Sequence, residues 1–247
     1  MRNSEVRILA VETSGARGGI ALAEGGDFRL IDEARLSEGL RHGRDLVLAA
    51  KTACERAGWD RRRIDCVAVS IGPGSFTGIR IAVTFAKFIA YDTGAKVVAV
   101  PSLRALAENA PGDRQRIVPI VDAKRGGLFA SIFVRHDNTR ARRCSGGVSP
   151  SFEEVFGPAL IEPEALAARL QAPAYILGHG IVKGRAALSA FEFAPADLWD
   201  IQPGAIARLA FELAARGEFA DPLRLEPIYI RPPEAQEIWE RRKHTGT

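Results

Sequence analysis

The chain predicts an α/β fold built twice over, with two mixed-sheet subdomains related by duplication. The first sign is a repeated pattern: Arg7 to Leu22 runs strand, small-residue turn, Gly-Gly, strand, and Arg116 to Val134 does the same. In both copies an acid, Glu12 or Asp122, ends the first strand, and Arg-Gly-Gly precedes the second. The second sign is that each leading strand is apolar on both faces, as the inner strand of a mixed sheet must be. The third is that each hairpin is followed by segments of helical and strand character able to cover the two faces of such a sheet.

Taken in order, the first hairpin is followed by a weaker third strand. The segment from His42 to Gly58 then puts Leu46, Ala50, Ala53 and Ala57 on one face and stops at glycine, which describes an amphipathic helix. Residues 66–71 branch and alternate like an inner strand, and the glycines and proline of Gly72-Pro-Gly-Ser-Phe-Thr-Gly78 break it. Ser75 or Thr77 caps the next helix. Residues 95–101 form a short strand, and 103–109 a helix that crosses into the second half. There, 163–170 and 203–216 read as helices, 174–181 as a strand ending in a glycine turn, and 225–233 as extended chain. The predicted division is 1–103 and 104–230 for the two subdomains, with a polar tail over 231–247. No Gly- or Ser-rich linker separates the halves, so close packing is expected.

The helix starting at residue 76 is the least ordinary element. Stepped at about 100° per residue, Arg80, Thr84, Lys87 and Tyr91 fall on one narrow stripe, and the rest of Ile79 to Ala90 is apolar. Ile79, Val83 and Ala86 suit the home sheet. Ile81, Phe85 and Phe88 then form a second flank, worth about 5–9 kcal/mol once removed from water. Either a protein partner or another element of the same chain covers it.

Composition narrows the function classes. Hydrophobic residues at 47% and charged residues at 26% suit a globular domain of ordinary solubility. No apolar run reaches the roughly 20 residues of a membrane helix, and the first residues lead into a strand without a signal-type core, so a cytoplasmic location is expected. Cys54, Cys66 and Cys144 read as reduced thiols. The net charge of +4 is modest for a nucleic-acid binder, and its excess is local, at Arg135, Arg140, Arg142 and Arg143 and at Arg241, Arg242 and Lys243. Solvated loops and RNA-contacting clusters look alike in this respect.

Catalytic equipment is sparse. The glycines at 72, 74 and 78 miss the dinucleotide spacing, and no Gly-Lys-Ser/Thr follows, so a phosphate loop is not supported. Arg80 either holds an anion or a partner's carboxylate, or lines the polar stripe. Glu12, with Thr13, and Asp122 stand where a duplicated nucleotide-binding fold would hold a metal-bound phosphate, and Gly178-His-Gly180 could receive a base. Together these outline at most a vestigial nucleotide site. The four histidines are scattered, with Leu46 where a second helical ligand to His42 would stand, so no metal is assigned. Neither a nucleophile elbow nor a Cys-His pair is present. The alternative to a binding protein is a small-molecule kinase or ATPase using Glu12, Asp122 and Gly178 to Gly180.

Ile8 to Ser14, His42 ahead of an amphipathic helix, Gly72 to Arg80, Val121 to Arg125 and Glu226 to Arg231 together resemble the TsaB (YeaZ) family, the dimerisation subunit of the bacterial tRNA threonylcarbamoyladenosine machinery. The resemblance implies an actin-like, Hsp70-like duplicated fold and a noncatalytic scaffold role. It also implies pairing with the catalytic paralogue TsaD through helices of the first half, with a homodimer on the same surface when TsaD is absent. TsaE joins the larger assembly, and tRNA is met indirectly. TsaD carries a metal-binding His-x-x-x-His on its first helix, of which this sequence keeps His42 alone. The family's usual Asp is Glu12 here, which argues against nucleotide binding and against any cofactor. On this resemblance the partner surface comprises His42, Leu46, Phe76, Thr77, Arg80, Ile81, Phe85 and Phe88.

Overall fold

A computed structural model describes residues 6–36, 42–136 and 151–231, with the backbone only at His42, Arg61 and Ser151. The first half runs β1 (Arg7–Glu12), β2 (Gly19–Glu24), β3 (Arg29–Arg35), α1 (His42–Arg56), β4 (Cys66–Ser70), α2 (Phe76–Thr93), β5 (Lys96–Val100) and α3 (Ser102–Ala107). The second runs β6 (Arg116–Asp122), β7 (Leu128–His136), β8 (Ser151–Ile161), α4 (Pro163–Arg169), β9 (Tyr175–Leu177), α5 (Ile181–Gly184), β10 (Glu192–Phe193) and α6 (Pro203–Ala215). Each half holds one five-stranded sheet, ordered β3-β2-β1-β4-β5 and β8-β7-β6-β9-β10. The first three strands of each are antiparallel and the last two join in parallel. The duplication therefore holds strand for strand, and Glu12 and Asp122 occupy matching ends of β1 and β6.

Alternation along β1 and β4 sorts their side chains between two cores. Leu9, Val11, Val67 and Val69 face the cluster under α1 and α2, while Ile8, Ala10 and Ala68 face the core shared with α3, α6 and the second half. On that second face the small Ala10, Ala21, Ala23 and Ala68 let the Ala207 and Ala210 side of α6 come close. Helix α6 thus packs on β1, β2 and β5, although it follows β10 in the chain. The strands divide at 103/104, while α6 and Leu225, which is buried in the α1/α2 core, pack on the first half.

Helix α2 starts at Ser75, whose Oγ accepts the Gly78 N–H at 3.2 Å, and ends at Gly94 in the left-handed region with φ 75°. Cys54 and Cys66 are buried free thiols, and burial pushes the Cys66 thiol up to about 12. Cys144, Arg140, Arg142, Arg143 and the tail with Arg241, Arg242 and Lys243 lie outside the described residues.

Candidate functional site

The Gly72 to Arg80 motif is a packing lock between α2 and the first hairpin turn. A Cβ on Gly78 would stand 1.8 Å from the Thr13 carbonyl oxygen, and one on Gly74 would stand 2.4 Å from that of Ser14. That proximity lets the Thr13 hydroxyl donate to Gly78 O at 2.6 Å and the Ser75 N–H donate to Ser14 O at 2.8 Å. Glycine at 74 and 78 is needed for backbone approach to backbone, leaving no room for a phosphate between them.

Behind this lock, Glu12 and Thr13 are fully buried. Glu12 Oε1 accepts from Ser14 N–H (2.6 Å), Ser14 Oγ (2.7 Å) and Gly15 N–H (2.9 Å). Ser102 Oγ donates to Ser14 Oγ at 2.8 Å and accepts from Gly72 N–H at 3.0 Å, extending the network to the motif. Burial raises the Glu12 carboxyl above its ordinary 4.5, and its Ser70, Ser14 and Gly15 neighbours offset only part of that. Although Ser70 acts on the charge, neither Ser70 Oγ nor Glu12 Oε2 has a partner in hydrogen-bonding geometry. Glu12 and Thr13, two residues of the outlined vestigial nucleotide site, thus stand in a buried polar pin.

A carboxyl whose folded-state pKa is raised stabilises most below its unfolded value and loses that contribution as pH rises through the folded value. Glu12→Gln cannot titrate, and its amide can donate to Ser70 Oγ while Oε1 keeps its three donors. The substitution is expected to stabilise the protein at pH 7 by about 1 kcal/mol, with the advantage shrinking as pH falls toward 4.5. Urea melts at several pH values check this, and a difference that stays flat from acid to neutral would contradict it.

Between the halves lies a cleft of about 1010 Å³, lined among others by Asp122, Lys124, Phe129, His179, Trp199 and Tyr229. Its acids are already neutralised. Asp122 accepts from Lys183 Nζ at 2.8 Å, and from the Lys124 N–H at 2.7 Å and Nζ at 3.3 Å. Burial pushes its carboxyl up, but these donors outweigh burial and hold it below its ordinary value. Asp200 is held low chiefly by His179 Nε2, 2.8 Å away, and the His179 ring stands edge-on to Trp199. At Gly178 or Gly180 a Cβ would strike Ile120 of β6, at 2.3 Å and 3.0 Å, so both glycines allow β9 to end against the neighbouring strand. No group of three His, Cys, Asp or Glu side chains among the described residues is placed to hold a metal.

The α1/α2 pair offers a different surface. Thr77, Thr84, Phe88 and Tyr91 share about 60° of the α2 circumference, opposite Ile79 and the sheet, and all four are exposed. Phe88 is 63% and Tyr91 is 91% exposed, and Val47 and Leu48 on α1 are 58% and 62% exposed. Several residues expected here lie elsewhere. Leu46 is fully buried in the home core, and Phe85 is buried at 9%, so neither reaches the surface. Ile81 is half-buried beside Gly43 of α1. Arg80 is exposed, and its guanidinium stacks on Phe76 at 4.0 Å and donates to the Tyr229 hydroxyl at 2.8 Å. Nothing is described of the His42 side chain. Val47, Leu48 and Tyr91 add to the expected set; on α1 the sequence carries the signal, since Val47 and Leu48 stand about 100° and 200° round the helix from the core-facing Leu46 and cannot both face the sheet with it.

These features define a class: a duplicated α/β protein whose first hairpin acid is buried, whose cleft acids are paired, and which exposes Val47, Leu48, Phe88 and Tyr91 on two helices of the first half. A family model described as TsaD, tRNA N6-adenosine threonylcarbamoyltransferase, matches residues 39–180, more than half of the chain. The tRNA threonylcarbamoyladenosine biosynthesis protein TsaB of Haemophilus influenzae is 27% identical over 91% of this chain and 93% of its own length. Its Bacillus subtilis counterpart is 34% identical, but the match spans about half of each protein, 51% of this chain and 54% of the relative. YeaZ from Pseudomonas aeruginosa shares the fold with a TM-score of 0.75 at 22% identity, over 90% of this chain and 99% of that one. The chain belongs to the family that the TsaD model describes, and within it resembles the proteins named TsaB and YeaZ. Among the described residues, no helix is long and apolar enough to cross a membrane.

Proposed function

We propose that this protein serves tRNA threonylcarbamoyladenosine biosynthesis as a noncatalytic scaffold that binds the paralogue TsaD through α1 and α2. The observation that carries this reading is the exposure of Val47, Leu48, Phe88 and Tyr91 on α1 and α2, because exposed apolar side chains of that size suit a surface that a partner covers. Exposed Arg44 on α1 and Arg80 on α2 offer the partner face two basic side chains, so carboxylates opposite them and slower association at high salt are expected. The same surface pairs two copies of this chain when TsaD is absent, TsaE joins the TsaD-bound form, and tRNA is met through the partner.

The noncatalytic part of the reading rests on the paired state of Asp122 and Asp200 and on the sealing of Glu12. Co-purification with TsaD from the same organism, followed by native mass measurement of stoichiometry, tests the scaffold. Recovery of each protein alone, with tRNA modification intact in a strain lacking this chain, would overturn it. The second reading, a small-molecule kinase or ATPase, predicts micromolar Mg-ATP binding by the isolated chain. Titration calorimetry is expected to register no such binding.

A further inference from the structure

Residues 220–231 form neither helix nor regular strand, yet they tie together parts of both halves. Ala220 N–H donates to Val97 O of β5 at 2.8 Å, and the Leu223 carbonyl accepts from Lys87 Nζ of α2 at 3.5 Å. Leu225 sinks into the core beneath α1 and α2. Ile228 N–H then bonds Ile71 O at 2.7 Å, just before the Gly72 to Arg80 motif. The Tyr229 ring sits 5.1 Å from that of Phe76, and its hydroxyl accepts from Arg80 Nε. Ile230 packs against the core between the halves. Arg231 Nη1 donates to Ala123 O at 2.6 Å and to Lys124 O at 3.3 Å, in the β6–β7 turn.

Three residues therefore carry the chain from the first turn of α2 to the turn that forms the far wall of the cleft, and all of 228–231 line the cleft. That turn is conformationally costly. Lys124 and Arg125 both sit in the left-handed region, with φ 62° and 49°, a conformation that side-chain-bearing residues keep only when their surroundings impose it. The Lys124 N–H bond to Asp122 and the Arg231 bonds to its carbonyls are such surroundings.

From this placement we infer that 223–231 is a strap that mechanically couples the cleft wall to the start of α2, so that loosening one end loosens the other. Because it makes few backbone hydrogen bonds of its own, the strap is the element of this region that releases most easily. If the α1/α2 face docks TsaD, as proposed above, the strap also couples the cleft wall to partner binding. That consequence rests on the docking reading, whereas the coupling itself does not.

Hydrogen exchange of the intact free chain, followed by mass spectrometry, decides the matter. Tyr229→Ala removes both the ring contact with Phe76 and the hydroxyl that Arg80 reaches, and Arg231→Ala frees the strap from the β6–β7 turn. Each is expected to speed exchange at least about fivefold at the far end, Tyr229→Ala in fragment 120–128 and Arg231→Ala in fragment 72–80. Leu223→Ala, which alters a side chain 88% exposed, should leave both fragments unchanged. Faster exchange confined to the fragment beside each substitution, or none in either, overturns the coupling. TsaD affinity separates the two ideas. Far-end exchange with TsaD affinity untouched by both Arg231→Ala and Phe88→Asp sinks the docking reading and leaves the strap. Loss of binding in Phe88→Asp with no far-end exchange sinks the strap alone.

Discussion

Phe88→Asp is expected to lower affinity for TsaD at least about 100-fold and to leave the fold intact. Covering a phenylalanine is worth about 1.5–3 kcal/mol, and a carboxylate forced into the same desolvated place adds a penalty of about 2–5 kcal/mol. Either contribution is a large fraction of the roughly 2.8 kcal/mol that a hundredfold change represents. Since Phe88 is 63% exposed in the free chain, replacing it removes little from the core. Its effect on folding should fall within about 0.5 kcal/mol, a shift of ~1–2 °C in melting temperature for a chain of this size. Phe85→Asp provides the contrast. With Phe85 buried at 9%, an aspartate there places an unpaired charge among Val83, Ala86 and Cys54, and the chain should fail to fold cooperatively. Calorimetric melts of the two variants, beside a TsaD pull-down of each, distinguish surface from core. Equal loss of folding in both would show that the α2 face is part of the core, and an unchanged pull-down for Phe88→Asp would remove the docking surface.

The contrast between Phe85 and Phe88 also marks where sequence patterning stops. Stepping round the helix separates Ile79, Val83 and Ala86 from Ile81, Phe85 and Phe88, and the first group does face the sheet. Patterning does not say which neighbour lies along each flank. Helix α1 lies along one side, with Gly43 next to Ile81, so the predicted apolar flank divides into a covered part and an open part. The 223–231 strap lies along the other side and meets the polar stripe at Arg80 and Lys87. Strand β8 escaped notice because it is a sheet edge whose Glu153 and Glu154 are solvated, so it lacks the double-sided apolar character that makes β1 and β6 legible. Glu12 shows the same limit from another direction. An acid at a strand end looks like a ligand for phosphate chemistry, and its burial depends on a loop some sixty residues later. The usable signal was in that loop: glycine at 78, inside the first turn of a helix, is costly to helix formation unless another backbone needs the space.

Gly78→Ala is expected to destabilise the protein by about 3–5 kcal/mol, among the largest effects a single methyl group can have. In a solvent-facing helix the same change would stabilise by up to ~1 kcal/mol, since alanine is the better helix former. Here the added Cβ would overlap the Thr13 carbonyl oxygen at 1.8 Å and press on Ser75 at 3.2 Å. The Thr13 contact is backbone and the Ser75 contact is a Cβ held directly on its backbone, so no flexible side-chain end can swing away to relieve the overlap. Helix α2 would have to withdraw from β1, lengthening the Thr13 Oγ1 to Gly78 O bond and the Ser75 N–H to Ser14 O bond together, and drawing Ile79 out of the core. Gly94→Ala is the matched control. Gly94 caps the other end of α2 with φ 75° and nothing stands within 4 Å of its added Cβ, so only left-handed strain of roughly 1–2 kcal/mol applies. At about 2–4 °C per kcal/mol, Gly78→Ala should melt roughly 6–20 °C below the parent and below Gly94→Ala. Because the lost contacts hold α2 at the angle that presents Phe88 and Tyr91, any folded fraction of Gly78→Ala should also bind TsaD weakly. Melting of the two glycine variants at the same temperature would mean that α2 does not press on the first hairpin turn, and the case for a sealed Glu12 would fall with it.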